Sequence, residues 1–316
     1  MTGTSSRPLR LGTRASALAR AQSSEVARMV EKVTGRPVEL VDITTQGDTS
    51  NAPVSRLGVG VFVSALRDAL LAGEIDFAVH SYKDLPTAPA PGLTIAAVPE
   101  RADPRDALVS RDGLSLAELP PGSTVGTGSP RRIAQLLERG YGLRCVPIRG
   151  NVDSRLSRVA SGELDAVILA AAGLSRLGRI GEATELLDPM LMMPAPAQGA
   201  LAVECRSDDA EMREQLAALD HPPTHAAVRA ERALLATLQA GCSAPVGALA
   251  EVAESGNGDS GPSEEIYLRG AVIATDGSAA VRLSDTGTPS DPEAIGRRLA
   301  ARLLDEGADS LLGSAR

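Results

Sequence analysis

The segment Phe77-Ala-Val-His-Ser-Tyr-Lys-Asp-Leu-Pro86 joins a short apolar run to a group of polar side chains. Residues 75–79 are apolar apart from Asp76, a pattern that predicts a buried β-strand, and Pro86 prevents its continuation. The polar side chains at the predicted strand end are His80, Ser81, Lys83 and Asp84. Polar groups at the carboxyl end of a parallel strand lie where open α/β sheets bind ligands. A surface turn whose polar groups face water is the alternative, and the segment alone leaves it open.

The composition bounds the class of protein. The chain has 316 residues, enough for two or three domains of about 100–200 residues each. It contains three Tyr, two Phe and no Trp, so aromatic platforms for single-stranded nucleic acid are nearly excluded. The net charge of −8 argues against general binding to nucleic acid or anionic membranes. Three cysteines without a signal-peptide pattern or a transmembrane-length apolar run predict a cytoplasmic protein without disulfides.

Positive charge is concentrated in residues 121–180, although the whole chain is acidic. This stretch contains nine arginines and four acidic side chains. Guanidinium groups bind carboxylates and phosphates through paired hydrogen bonds, so the excess predicts a polyanionic ligand. A solvated basic face is the alternative that composition leaves open. The arginines are Arg131, Arg132, Arg139, Arg144, Arg149, Arg155, Arg158, Arg176 and Arg179.

Two predicted helices begin at turns suited to anions. In residues 123–132 a β-run enters a Gly-containing turn, and the amides of Gly128 and Ser129 with the side chains of Arg131 and Arg132 should point at one anion. The stretch is neither a P-loop nor a GxGxxG motif.

The second turn is residues 13–16, at the start of a helix predicted over 15–33. Ser16 there is either a plain N-cap or part of an anion site, and both roles are compatible.

Alternating strands and helices predict two α/β regions followed by a smaller one. Arg149, Arg155 and Arg176 come after successive predicted strands, and carboxyl ends of parallel strands meet at one edge, so these side chains should converge on one cleft. Residues 194–199 are predicted to be a rigid linker. The strand over 201–205 should return to the first sheet.

Cys242 differs from the other two cysteines in its predicted setting. It follows a helix predicted to be capped by Thr224 and to end near Gln239, with Gly241 in the left-handed position. Cys145 and Cys205 lie in apolar strands. A buried, inert thiol is the usual state of a cysteine, but the turn favours an accessible one here.

His221 and His225 have i, i+4 spacing without a third metal ligand nearby. We therefore predict a capping or structural role for them and no metal site.

Several of these stretches, in this order, resemble the porphobilinogen deaminase family, also called hydroxymethylbilane synthases. The resemblance spans nearly the whole chain. It rests on Leu11-Gly-Thr-Arg-Ala-Ser16, Val79-His-Ser-Tyr-Lys-Asp-Leu-Pro86, Arg101-Ala-Asp-Pro-Arg-Asp106, Val125-Gly-Thr-Gly-Ser-Pro-Arg-Arg132, Ile148-Arg-Gly-Asn-Val-Asp-Ser-Arg155, Gln198-Gly-Ala200 and the stretch from Glu231 to Gly247 around Cys242.

The resemblance implies a transferase that condenses four porphobilinogens head to tail into hydroxymethylbilane, with loss of four ammonias, in tetrapyrrole biosynthesis. It implies a dipyrromethane cofactor held by a thioether at Cys242, and a catalytic carboxylate at Asp84. The positions that match residues binding cofactor and substrate are Arg14, Ser16, Ser81, Lys83, Thr127, Gly128, Ser129, Arg131, Arg132, Arg149, Gly150, Asn151, Arg155, Arg176 and Gln198.

The implied fold is α/β with three domains, the first two resembling type II periplasmic binding proteins with a cleft between them. The third is smaller, with an antiparallel three-stranded sheet. The expected boundaries are 1–101 plus 197–219, 102–196, and 220–316. A monomer that hands its product to uroporphyrinogen-III synthase is also expected. The alternative, a non-catalytic two-domain anion-binding protein, does not explain Cys242 or the third domain.

Overall fold

A computed structural model describes residues 7–44, 63–241, 244–255 and 263–312. Cys242 and all of residues 49–60 lie outside the described residues. The chain divides into two compact units, residues 1–101 with 200–225, and residues 102–199 with 226–316. The second and third predicted domains fall in one unit, so their boundaries stay a prediction.

The strands and helices alternate in the order expected of an α/β protein. The strands are β1 Leu9–Thr13, β2 Val38–Asp42, β3 Phe77–Ser81, β4 Leu93–Ala97, β5 Asp106–Ser110, β6 Thr124–Gly126, β7 Arg144–Val146, β8 Ala166–Ala170, β9 Glu185–Leu186, β10 Leu201–Arg206, β11 Val246–Ser255, β12 Ser263–Ile273 and β13 Ala280–Gly287. The helices are α1 Ala17–Thr34, α2 Ser64–Leu71, α3 Pro130–Glu138, α4 Val152–Ala160, α5 Ala171–Arg176, α6 Ala210–Ala217, α7 Pro222–Thr237, α8 Pro292–Asp305 and α9 Ala308–Leu312.

The first unit is built on a five-stranded sheet in the order β2-β1-β3-β10-β4. Strand β1 pairs in parallel with β2 and β3, while β10 runs antiparallel to β3 and β4. The predicted return of the chain to the first sheet is therefore confirmed. Phe77 and Val79 of β3 pack in one core cluster, and Ala78 packs in another with Leu66 and Leu70 of α2. Burial on both faces explains why the strand sequence is apolar throughout.

The second unit contains a five-stranded sheet with the same pattern of strands, β7-β6-β8-β5-β9. Strand β6 pairs in parallel with β7 and β8, and β5 is the antiparallel member beside β8. In each sheet the four parallel strands stand in the order second, first, third and fourth along the chain. One antiparallel strand lies between the third and the fourth in both sheets. The repeat of one topology confirms the predicted pair of α/β sheets.

The same unit carries an antiparallel sheet in the order β11-β12-β13, which confirms the predicted smaller region. Helix α8 covers this sheet with Leu299 and Leu303, which share a core cluster with Leu268. The turn at Gly277 packs against α3, because a Cβ at Gly277 would lie 2.5 Å from the amide nitrogen of Glu138. Arg282 of β13 also forms an ion pair with Glu138. The antiparallel sheet therefore fixes the end of α3.

Two details of α7 differ from the prediction. The helix begins at Pro222, and the amide of Thr224 donates to Nδ1 of His221 at 3.3 Å, so His221 caps the helix instead of Thr224. The predicted capping role of the histidine is confirmed. The left-handed residue after the helix is Gln239, with φ 53°, and not Gly241.

Among the described residues, every helix is too short or too polar to cross a membrane.

Candidate active site

In the first unit, the carboxyl end of β3 leads into a tight turn that presents Asp84. Residues Tyr82–Asp84 form a 3-10 turn in which Tyr82 is buried and Asp84 is exposed. The amide of Tyr82 donates to the carbonyl of Ala200 at 3.0 Å, and the amide of Leu85 donates to the carbonyl of Tyr82 at 3.2 Å. The turn is thus fixed from both sides, while its carboxylate faces solvent.

The neighbouring site residues of this unit occupy the same edge of the sheet. Ser81 pairs with Leu201 in the register of β3 and β10, and its hydroxyl accepts a hydrogen bond from Nε2 of Gln22 at 2.8 Å. Lys83 in the turn is half-buried.

Ser16 and Arg14 follow β1 at this edge. The hydroxyl of Ser16 accepts from the amide of Ala19 at 3.3 Å, so Ser16 is the N-cap of α1. Arg14 is half-buried. The structure therefore brings Arg14, Ser16, Ser81, Lys83 and Asp84 to the carboxyl edge of one sheet.

A buried ionic group lies directly behind this turn. Nε2 of His80 is 3.1 Å from Oε2 of Glu204. Arg67 donates to the same carboxylate from Nε, which is 3.1 Å from both oxygens, and from Nη2, which is 2.8 Å from Oε1. Burial alone would raise the pKa of Glu204, but the hydrogen bonds from His80 and Arg67 outweigh it and lower that pKa. The trio of His80, Glu204 and Arg67 ties β3, β10 and α2 together.

In the second unit, Arg131 and Arg132 share a carboxylate that the sequence analysis did not assign. Asp106, the first residue of β5, is fully buried and accepts from Nη2 of Arg131 at 2.8 Å and from Nη2 of Arg132 at 2.7 Å. The two guanidinium groups do point at one anion, but that anion is the protein's own carboxylate. The positive charges of both arginines outweigh burial and hold the pKa of Asp106 far below its usual value.

Both guanidinium groups are also anchored to carbonyls. Nη1 of Arg131 donates to the carbonyl of Met193 at 2.5 Å, and Nη1 of Arg132 donates to the carbonyl of Ile168 at 2.8 Å. Both side chains are almost fully buried. Within the described part of the chain, Nε of Arg131 has no hydrogen-bond partner although it is buried.

The turn between β6 and α3 closely approaches the segment after β7. A Cβ at Gly128 would lie 2.7 Å from the carbonyl oxygen of Ile148, so this position requires glycine. The amide of Ser129 donates to the hydroxyl of Thr127 at 3.2 Å, which fixes the turn. Ser129 is the N-cap residue of α3, although its side chain makes no capping hydrogen bond. The backbone here is held at the carboxyl edge of the sheet.

The segment after β7 places Arg149 and Arg155 at the same edge. Asn151 caps α4 by accepting from the amide of Ser154 at 2.8 Å, and Nε of Arg155 donates to the carbonyl of Gly150 at 2.9 Å. Gly150 has φ 106°, which disfavours any side chain.

Positive charge accumulates around Arg155. Burial lowers the pKa of Arg155, and the positive charges of Arg132, Arg149 and Arg158 lower it further. A guanidinium whose pKa is lowered by like charges is one that an added anion would stabilise. Arg155 therefore lies in a cluster of like charges, whereas Arg131 and Arg132 are paired with Asp106.

Gln198 and Arg176 bind the backbone in this structure. Nε2 of Gln198 donates to Asp106 at 2.8 Å and to the carbonyl of Pro104 at 2.8 Å, and Gln198 is fully buried. Nη2 of Arg176, at the end of α5, donates to the carbonyl of Gly199 at 3.0 Å. Both side chains hold the segment that leads into β10, a role that the sequence patterns did not indicate.

The two described cysteines are poorly suited to nucleophilic chemistry. Cys205 in β10 is fully buried, and burial raises its pKa to about 11. Cys145 in β7 is half-buried, and burial raises its pKa as well. Both therefore behave as the apolar strand residues that the sequence predicted.

Comparison with known proteins assigns the chain to a family. A family model described as "Porphobilinogen deaminase, dipyromethane cofactor binding domain" matches residues 9–214, and one described as "Porphobilinogen deaminase, C-terminal domain" matches residues 225–305. The chain belongs to the porphobilinogen deaminase family. The family predicted from the sequence motifs is thereby confirmed.

Individual relatives of this family are similar over nearly their full length. The porphobilinogen deaminase of Nocardia farcinica is 61% identical over 305 residues, covering 96% of this chain and 88% of the relative. That of Mycolicibacterium paratuberculosis is 57% identical over 308 residues, covering 98% of each chain. Among solved structures, the methionine-binding protein MetQ has a TM-score of 0.44 and 14% identity, covering 67% of this chain and 89% of MetQ.

The residues of the second unit fit the dipyrromethane cofactor that the family model names. That cofactor is an anion with several carboxylates, and the structure offers a buried, unpartnered donor at Nε of Arg131 and a like-charge cluster around Arg155. Buried donors are normally satisfied, so an unpartnered one beside excess positive charge is suited to an anionic ligand.

Proposed function

We propose that this chain is a porphobilinogen deaminase, the transferase that joins four porphobilinogen molecules head to tail into hydroxymethylbilane with release of four ammonias. Membership of the family over nearly the whole chain carries this proposal. The arrangement of charge in the two units supports it. A non-catalytic anion-binding protein is not favoured, because the close relatives carry the name of an enzyme.

The arginines of the second unit are proposed to hold the carboxylates of substrate and product. Each porphobilinogen carries an acetate and a propionate, so each condensation adds two negative charges to the bound chain. Arg155 lies among the like charges of Arg132, Arg149 and Arg158, which lower its pKa, and this supports the role. The backbone and side chains of Thr127, Gly128, Ser129, Gly150 and Asn151, with Arg131, Arg132 and Arg176, are proposed to complete the anion-binding surface. The fully buried Gln198 is proposed to support this surface through its hydrogen bond to Asp106.

Asp84 is proposed to be the catalytic carboxylate. Loss of ammonia leaves a cationic pyrrole ring, and a carboxylate stabilises such developing charge. Asp84 can also exchange a proton as the ring attacks and recovers its aromaticity. Its exposure at a turn fixed on both sides supports the role, because the carboxylate is accessible while its backbone is held. Arg14, Ser16, Ser81 and Lys83 are proposed to bind substrate beside it.

The dipyrromethane cofactor is proposed to be attached through a thioether to Cys242. When bound, it supplies the covalent anchor on which the product chain is assembled. Arg131, Arg132 and Arg155 are the residues of this chain proposed to hold its carboxylates. The cytoplasmic location, monomeric state, hand-over of product to uroporphyrinogen-III synthase and the three domain boundaries stay predictions.

Intact mass spectrometry of the purified protein tests this function. We expect an excess of two pyrrole units over the sequence mass, located in the peptide that contains Cys242, and ammonia release when porphobilinogen is added. Cys242→Ser should lack both the excess and the activity. Cys205→Ala is the matched control, because its buried thiol is not a nucleophile, and it should keep the excess. Unmodified, active wild-type protein would contradict the proposed cofactor.

A further inference from the structure

Asp106 is the centre of a buried polar group that no substrate role explains. Its carboxylate accepts hydrogen bonds from Arg131, Arg132 and Gln198, at 2.8, 2.7 and 2.8 Å. Nε of Arg132 adds a further contact at 3.1 Å. Since Asp106 has no exposed surface, it reaches no ligand directly.

The backbone of Asp106 is fixed by the sheet. Asp106 pairs with Ala170 in the register of β5 and β8, at the carboxyl edge of β8. The amide of Leu187 donates to its carbonyl at 2.8 Å on the other side. The carboxylate therefore stands at a defined place on a rigid element, while the arginine side chains that reach it are long and have many rotamers.

The group also joins two separate chain segments. Gln198 bonds both Asp106 and the carbonyl of Pro104, and Gly199 follows with φ 89°. A Cβ at Gly199 would lie 2.4 Å from the carbonyl oxygen of Ala102. The segment before β5 and the segment before β10 are thus held against each other at the carboxylate that orients the arginines.

We propose that Asp106 is a positioning residue for the reaction, which orients Arg131 and Arg132 so that their remaining N–H groups receive the carboxylates of the cofactor. Gln198 supports Asp106 in this role through its hydrogen bond to the same carboxylate. The inference rests on the proposed function, because it concerns how the anion-binding arginines are prepared.

Asp106 could position the two arginines or only reduce their positive charge, and the two roles predict opposite results when Asp106 is removed. If Asp106 only reduced the positive charge of the site, its removal would strengthen binding of anionic ligands. If it positions the two guanidinium groups, its removal weakens binding despite the extra positive charge, because misplacement by about 1 Å can lower the rate by about 100-fold.

The test uses Asp106→Ala with formate as the probe, since this ion can occupy the space of the deleted carboxylate. Wild type, Asp106→Ala and the control Asp165→Ala are produced with porphobilinogen available. Asp165 bonds Thr124 and Arg111 and lies before β8, at the opposite edge of the same sheet. The measurements are the fraction of chains carrying two extra pyrrole units, kcat, KM and the melting midpoint, each in formate and in chloride at equal ionic strength.

We expect Asp106→Ala to lose cofactor loading and about 100-fold in kcat/KM, and formate but not chloride to restore both in part. Asp165→Ala should load normally and should not respond to formate. Formate that restores the melting midpoint without restoring loading or turnover would overturn the proposal in favour of a purely structural role. Loading and turnover of Asp106→Ala equal to wild type would overturn it too.

A second variant covers the case in which Asp106→Ala does not fold. Gln198→Leu leaves the charge of the group unchanged and removes the hydrogen bonds to Asp106 and to the carbonyl of Pro104. It should fold with a lowered melting midpoint, load cofactor more slowly and raise KM for porphobilinogen. Normal loading and KM in this variant would then overturn the proposal. A wild-type protein without pyrrole mass and without turnover would sink the proposed function itself, which separates the two failures.

Discussion

Asp84 and Asp106 lie at the carboxyl edges of two sheets that share one strand order, but in opposite environments. Asp84 follows a parallel strand on an exposed turn, and Asp106 begins the antiparallel strand and is fully buried beneath two arginines. The same sheet edge can therefore offer a carboxylate to a ligand or use one to hold cations. The position of the aspartate differs in the two cases: Asp84 lies beyond the end of β3 in an exposed turn, whereas Asp106 is the first residue of β5 and binds Arg131 and Arg132 in the interior.

The largest effect is expected when the buried aspartate loses a partner. Arg132→Leu should lower the free energy of unfolding by roughly 3–5 kcal/mol, because the buried carboxylate is then incompletely compensated, and it should prevent cofactor assembly. Urea unfolding and intact mass measure the two effects. Arg111→Leu is the control, because the Arg111–Asp165 pair is half-exposed and such pairs contribute about 0–1 kcal/mol. Equal effects of both variants would remove the distinction between buried and exposed pairs.

Replacement of the exposed Asp84 should lower turnover without lowering stability. Asp84→Asn should keep the fold and the cofactor mass but lower kcat by about 10²–10³, because the amide cannot stabilise a developing cation. Ammonia release under saturating porphobilinogen measures this loss. Asp68→Asn, which neutralises an exposed carboxylate on α2 of the same unit, should leave kcat unchanged. Turnover of Asp84→Asn within a few-fold of wild type would rule Asp84 out as the catalytic group.

A smaller effect is expected from the arginines that are not bound to Asp106. Arg155→Leu should still load cofactor but raise KM for porphobilinogen by about tenfold or more, since hydrogen bonds to charged groups contribute about 1.5–3 kcal/mol. Arg158→Leu on the same helix is the matched control, because Arg158 is 3.3 Å from its partner Glu163. Identical KM values in the two variants would show that only the general positive potential matters.

The smallest effect concerns pH and the ionic group behind Asp84. The pKa of Glu204 is lower in the folded protein than its usual value. The ionised carboxylate of Glu204 therefore contributes to stability at pH values above the usual pKa, and this contribution is lost as the pH falls through the folded pKa. The melting midpoint of wild type should therefore fall more steeply from about pH 5 to about pH 3 than that of Glu204→Gln. Parallel pH profiles would show that the trio does not couple to protonation.

The sequence predicted the sheet edges because their signals are local. An apolar run, a glycine-containing turn and a helix start lie within ten residues of one another in 123–132, and the structure has β6, a turn and the start of α3 there. Arg149, Arg155 and Asp84 could thus be placed at strand ends before the structure was known.

The sequence could not predict the burial of Arg131 and Arg132, because it depends on partners far along the chain. Asp106 is separated by 25 residues from Arg131 and by 92 from Gln198. A count from composition treats every arginine as an accessible positive charge. It therefore includes Arg131 and Arg132 in the excess, although both are paired with a buried carboxylate. The signal that could have indicated Asp106 is a lone acidic residue at the start of an apolar strand, since a buried carboxylate requires cationic partners.

The burial of two of the three thiols has a practical consequence for labelling. The thiolate is the reactive form of cysteine, and the raised pKa values of Cys145 and Cys205 leave little thiolate at neutral pH. A maleimide fluorophore should therefore react slowly at both positions. Rapid, single-site labelling of cofactor-free protein would then report on Cys242 without replacing either of the other cysteines, and loss of that labelling would follow cofactor attachment in real time.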